Sequence, residues 1–371
     1  MEHFGYQGSK IWTGTQPRSL WVGLALLLCL PCWAQQPGTP RSLVVYKSLQ
    51  PLTIDGRGDE ESWEKAPWSE PFIDIEGEAE PPYRTRMKML WDDTYLYFHA
   101  QLEEPHLWGN LKQRDTVIFY NNDFEIFIDP DGDTHNYYEF EMNALNTVWD
   151  LFLAKPYREG GPVLDSWDIT GLKTAVHLQG SLNDPTDTDQ GWGVEIAMPW
   201  AVLLEASGSN APPESQFWRI NFSRVNWDFD LEGQTYHRKR DAQGNHLPEH
   251  NWVWSPQGVV NMHEPEHWGY AYFSANPVGE PEEFSIPRDE EIRWLFYRIY
   301  RAQKKHLQQN GAFAQNLQAL DIKPRLGDGT AILPELQVHP AGWVLRTKSP
   351  FTGRQYQIRE DGRFQEFHTT H

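Results

Sequence analysis

From Ser42 to Phe273 the chain is dominated by short runs in which apolar and polar residues alternate. Period two is the repeat of a half-buried β-strand, because successive side chains leave opposite faces of the pleat. The clearest unit spans residues 84–102, where RTRMKMLW and TYLYFHAQL flank Asp92-Asp93 and read as a hairpin. Further strands are expected at residues 123–128, 137–143, 147–154, 172–178, 192–198, 218–225 and 268–273, separated by Gly, Pro, Asn and Asp clusters. That spacing predicts a mainly β sandwich or barrel over residues 42–274. The period then changes. Residues 276–287 are rich in Pro, Glu and Gly and mark a linker. After them Ile292, Leu295, Phe296 and Ile299 recur at i, i+3, i+4 and i+7, predicting an amphipathic helix over 289–309 that stops at Asn310-Gly311. Its apolar face is expected to pack on the sandwich, with a small hairpin formed by residues 343–347 and 356–359 in the short tail that completes the segment 275–371.

The amino-terminal segment follows another rule. Residues 20–30 (LWVGLALLLCL) are apolar, with Lys10 and Arg18 before them and Pro31-Cys32-Trp33-Ala34 after. A basic start, an apolar stretch too short to span a bilayer and small residues at Cys32 and Ala34 predict a signal peptide over residues 1–34. A secreted or periplasmic protein is therefore expected. Cleavage before Gln35 would remove both cysteines, Cys29 and Cys32, leaving no disulfide and no thiolate metal site.

Composition narrows the function. With 32 Lys+Arg against 52 Asp+Glu the formal charge is −20, and it becomes −21 once the leader is gone. Nucleic acid is excluded as a partner, because phosphate neutralisation needs clustered Lys and Arg. A mean hydropathy of −0.66 and the lack of any apolar run of about 18 residues exclude a bundle of membrane spans. Fifteen of the 18 tryptophans lie beyond the leader. Indole faces stack on the C–H faces of sugar rings while carboxylates and amides bond the hydroxyls, so an acidic, aromatic exported chain suits a glycan. Trp91, Trp149 and Trp218 sit in alternating runs and are expected in the core. Trp108, Trp227, Trp252 and Trp254, in polar or irregular stretches, are the expected platforms.

Three motifs carry candidate chemistry. His263-Glu264-Pro265-Glu266-His267 has the spacing of a zinc protease, but that motif works on a helix and Pro265 breaks one; a loop entering a last strand is expected instead. Asp129, Asp131 and Asp133 alternate around Gly132 as hard ligands for a structural Ca²⁺ would, although Pro-Asp-Gly also suffices for a turn. Glu139 and Glu141 share one strand face, and Asp123 and Glu125 another. Such acids could hold a cation, bond sugar hydroxyls, or serve as the proton donor and base of a glycosidase hydrolysing O-glycosyl bonds. A further alternative is non-covalent haem held by His99, Met87 or Met142.

The order of motifs carries a resemblance. Leu52-Thr53-Ile54-Asp55-Gly56 with Trp63, then Leu90-Trp91-Asp92-Asp93-Thr94-Tyr95-Leu96-Tyr97, then Phe124-Glu125-Ile126-Phe127-Ile128-Asp129, then Pro265-Glu266-His267-Trp268-Gly269 resembles family 9 carbohydrate-binding modules. The resemblance implies a DOMON-like β-sandwich, a sugar-binding face, structural calcium, and partnership with secreted glycoside hydrolases such as xylanases. By the motif register it places Glu104, Glu125 and Asn143 at polar binding positions and one platform aromatic at Phe119 or Tyr120. The family's sugar-contacting arginine falls on Glu141, and its second platform tryptophan near Met262 and His263. The expectation is an exported protein that binds polysaccharide or oligosaccharide in support of carbohydrate catabolism, without cleaving it.

Overall fold

A computed structural model describes residues 38–367; the expected signal peptide lies outside the described residues. Thirteen strands of the described residues form one sheet, eleven of them in a single hydrogen-bonded path and two short ones, Ile73–Asp74 and His250–Val253, branching from it. One half runs through Val148–Leu153, Tyr137–Asn143, Asp123–Asp129, Phe217–Asn226 and Gly269–Pro277; the other through Thr85–Trp91, Tyr95–Glu103, Gly191–Pro199 and Lys173–Gln179. Ser42–Lys47 links them, pairing in parallel first with Gly269–Pro277 and then, past a register shift between Val45 and Lys47, with Thr85–Trp91.

The path folds back so that the two halves face each other as a sandwich. Period two decides what meets inside: Phe98, Ala100, Val194 and Ile196 from one half pack against Phe124, Ile126, Phe140 and Phe222 from the other. The rings of Phe98 and Phe222 stand 5.9 Å apart across the interior. The 84–102 hairpin forms in the expected register, Met89 opposite Phe98. Its turn is closed by Asp92, whose Oδ1 accepts from the Thr94 and Tyr95 amides at 2.7 and 2.8 Å, a local bond that Asp makes well.

The last eighty residues form a separate layer. A 21-residue helix, Glu290–Asn310, ends at Gly311, which takes the left-handed conformation (φ 71°) that glycine adopts without steric cost. The helix covers a four-stranded antiparallel sheet, Glu335–His339, Gly342–Lys348, Gln355–Arg359 and Phe364–Phe367. Ile292, Leu295, Phe296 and Ile299 pack on Trp343, Leu345, Ile358 and Phe364. This corrects two expectations: the apolar face rests on this sheet and not on the sandwich, and the tail is a sheet and not one hairpin. Two extra strands supply the apolar surface that a single hairpin lacks. Among the described residues no helix is long and apolar enough to cross a membrane.

Candidate functional site

The outer face of the first half is unusual for a buried sheet because it is acidic. Asp123–Asp129 and Tyr137–Asn143 pair with Glu125 opposite Glu141 and Phe127 opposite Glu139, while Ser223 lies opposite Glu125 on the next strand. The alternation that sends Phe124 and Ile126 inward sends Asp123, Glu125, Glu139 and Glu141 to this face. All four are less than 5% exposed. Glu125, Glu139 and Glu141 line a hollow of about 420 Å³ whose walls include Phe119, Trp149, Tyr157, Asn251, Met262 and His263.

Electrostatics follow from this placement. Burial pushes Glu125 up from 4.5 to about 7, with Ser223 beside it acting the other way. Asp123, Glu139 and Glu141 are also raised well above the carboxylate range, by burial first and then by neighbouring carboxylates. His263 offers no compensating charge, since burial and then Arg158 lower it to about 3. Its Nδ1 shares a 2.9 Å hydrogen bond with the Tyr137 hydroxyl, and Tyr157 stands edge-on at 4.3 Å. The Phe119 amide donates to Glu141 Oε2 at 2.9 Å, and the Val225 amide to Asp123 Oδ1 at 3.2 Å. Asp123 Oδ2 and Glu139 Oε2 have no partner.

The expected sugar-binding set is thus divided. Glu125, Glu141, Phe119 and His263 converge on the hollow. Tyr120 is 45% exposed next to Phe119 but carries Arg238 over its ring at 4.4 Å and does not line the hollow. Asn143 is fully buried; its amide donates to the Leu111 carbonyl and accepts from the Leu145 and Thr147 amides, so it fastens a turn. Glu104 pairs with Arg224 at 2.8 Å and lines a different hollow of about 370 Å³ at the sandwich mouth.

The platform tryptophans need correction. Trp254 is 1% exposed in the inter-sheet core, and Trp252, 3% exposed, borders the mouth hollow with Arg224 over its ring. Both lie on or beside the short strand His250–Val253, whose pairing with Phe217–Asn226 turns Trp252 toward the interior. Trp108 and Trp227 are buried with Tyr236 under the hairpin formed by Phe229–Glu232 and Thr235–Arg238. Trp91 and Trp218 are core as expected, but Trp149 is not: it is half-buried, sits opposite Glu141 and lines the acidic hollow. The tight turn between residues 143 and 148 sets that pairing and so places Trp149 beside Glu141. Tyr157, 51% exposed on a short loop, carried no such signal.

The other candidates separate as well. His99 shares the outer face of the second half with Lys88, whereas Met87 and Met142 lie in the closed core, so no haem pocket forms from them. Pro265–His267 is one 3-10 turn leading into the last sandwich strand, and Glu264 and Glu266 are bonded to Arg301. Asp129, Asp131 and Asp133 bring oxygens within 4.8 Å of one another, as do Asp123, Glu125 and Glu141, so each trio could hold a metal ion. In the first trio Asp129 Oδ1 is buried and unpartnered, while Asp133 accepts from Arg363 at 2.6 Å.

The family described as "Carbohydrate family 9 binding domain-like" matches residues 54–269. Endo-1,4-beta-xylanase A of Thermoanaerobacterium saccharolyticum and exoglucanase XynX of Acetivibrio thermocellus are each 28% identical over 122 residues, 33% of this chain. That stretch covers only 9% of either relative. A family 9 module from Caldicellulosiruptor kristjanssonii, solved with cellotriose, aligns at 18% identity and a TM-score of 0.41 over 66% of this chain and 98% of its own. With the match covering more than half of its length, the chain belongs to the carbohydrate family 9 binding domain-like family.

Proposed function

We propose that the protein binds a polysaccharide or oligosaccharide segment in the acidic hollow and holds it without breaking covalent bonds. The observation that carries this is the pairing of aromatic walls, Trp149, Phe119 and Tyr157, with a carboxylate floor in one open cavity of a family 9 chain. Aromatic faces give a sugar ring an apolar seat while carboxylates accept from its hydroxyls. Binding is favoured over hydrolysis by the acids' shared environment. A glycosidase needs two carboxyl groups on either side of the scissile bond with acidities driven apart; here Glu125, Glu139 and Glu141 lie on one floor and shift the same way.

The finer assignments are part of the same proposal. Ca²⁺ is the ion that hard carboxylate oxygens suit, and Asp129, Asp131 and Asp133 are its structural seat, with the orphaned Asp129 Oδ1 as the best-fitting group. The signal peptide expected over residues 1–34 supports export. The names of the matched relatives, a xylanase and an exoglucanase, support β-linked plant polysaccharides such as xylan as the ligand, and action beside hydrolases that degrade them.

A glycan array followed by titration of the best oligosaccharide tests the proposal. Trp149→Ala should weaken binding at least tenfold, about 1.4 kcal/mol, with the fold intact by circular dichroism. An array without any glycan signal from folded protein would remove the proposal.

A further inference from the structure

The floor of the hollow gathers more carboxyl groups than sugar hydroxyls call for. Asp123, Glu125 and Glu141 each offer one oxygen, and the three lie within 4.8 Å of one another. No lysine or arginine is among the residues lining the hollow. The nearby guanidinium, Arg158, is committed to Glu266 at 2.8 Å, the His263 carbonyl at 2.9 Å and the Tyr300 hydroxyl at 3.1 Å. Glu139, 4% exposed, lines the same cavity with Oε2 unpartnered, and Asp123, fully buried two residues before Glu125 on the same strand face, has Oδ2 unpartnered. A buried carboxylate left without a partner is strongly disfavoured unless it is neutralised or paired. Such a cluster, held on two adjacent strands and open to solvent on one side, is what a cation would complete.

The donor set selects the class of cation. Three converging hard oxygens fit a divalent ion such as Ca²⁺, which takes 6–8 oxygen ligands. Three carboxylates therefore leave positions on the side of the cavity, where vicinal sugar hydroxyls could enter. An ammonium group would neutralise only one of the charges. We infer that Asp123, Glu125 and Glu141 form a divalent-cation site in the floor of the hollow, and that the glycan is held partly through hydroxyls on that cation. The second clause rests on the glycan-binding proposal; the first does not.

The experiment is run on an Asp131→Asn background, so that the Asp129–Asp133 loop does not contribute a second class of sites. Ca²⁺ binding is followed by calorimetry, and Tb³⁺ by luminescence sensitised through Trp149, before and after the double change Glu125→Gln, Glu141→Gln. Neutral amides keep the shape and relieve like-charge repulsion, so the double variant should fold with an unchanged or raised melting temperature in EDTA. The expected result is loss of at least tenfold in Ca²⁺ affinity and of the Tb³⁺ signal. Equal metal binding by the folded double variant overturns the inference. Glycan affinity is then compared in Ca²⁺ and in EDTA: a drop of at least tenfold in EDTA supports the cation bridge, and equal affinity overturns it. EDTA-insensitive binding restricted to amino-sugar oligomers would show that the carboxylates answer an ammonium, which also overturns it. Ca²⁺ binding lost in the double variant, with no glycan bound under either condition, would keep the cation site and remove the glycan proposal.

Discussion

His99 shows how far one residue's chemistry depends on its surroundings. It is 1% exposed, with Nδ1 on the Val194 carbonyl at 3.0 Å and the rings of Trp63 and Trp68 at 5.6 and 5.4 Å. A Cβ at Gly58 would come within 2.5 Å of its ring, so that glycine is fixed by both φ and space. Burial first, and then Lys88 and Arg86, lower its pKa from 6.5 to about 4. The unfolded chain therefore binds a proton that the folded chain refuses between those values. Stability is complete above pH 6.5 and is lost as pH falls toward 4, by on the order of 3 kcal/mol from this residue. Denaturant titrations at pH 7.5 and 4.5 should show a smaller loss in His99→Gln than in the wild type; parallel curves would show that another group carries the acid sensitivity.

At the scale of elements, turn chemistry and pairing set the register that builds the site. Asp92 accepts from two amides through Oδ1 and from the Tyr97 hydroxyl through Oδ2 at 2.7 Å. Asp92→Ala should cost about 2 kcal/mol, since bonds to a charged acceptor contribute more than neutral ones, and chemical denaturation measures it. The hairpin was legible because this signal is local. The places of Trp149 and Trp254 were not: the alternating run around Trp149 pointed to the core and the irregular stretch around Trp254 to a platform, and only strand pairing says which faces the hollow and which the core. Trp254→Ala should accordingly destabilise by about 3–5 kcal/mol, whereas Trp149→Ala acts on binding. A large loss of glycan affinity in Trp254→Ala under conditions where it remains folded would reverse that assignment.

At the scale of the whole molecule, the carboxy-terminal layer is tied to the sandwich by buried charge. Burial alone would raise the Glu266 carboxyl, but Arg158 and Arg301 overcome that and hold it well below the usual carboxylate range. Arg301 comes from the long helix and Arg158 from the loop that also supports His263. Removing one partner of such a group leaves the others unpaired, so Glu266→Ala should lower stability by about 3 kcal/mol; a loss below about 1 kcal/mol would mean that solvent screens the cluster. The sequence by itself determined a mainly β fold, the hairpin, the helix and its stop, and that Glu139 and Glu141 share one strand face and Asp123 and Glu125 another, because periodicity, turn residues and caps act between near neighbours. Only the tertiary structure decided that Glu125, Glu139 and Glu141 share one hollow, that Trp149 stands beside them while Trp252 and Trp254 are covered, and that the helix has its own sheet. Those outcomes depend on which strands pair and what packs over each face, and contacts between residues far apart in the chain leave no periodic trace along it.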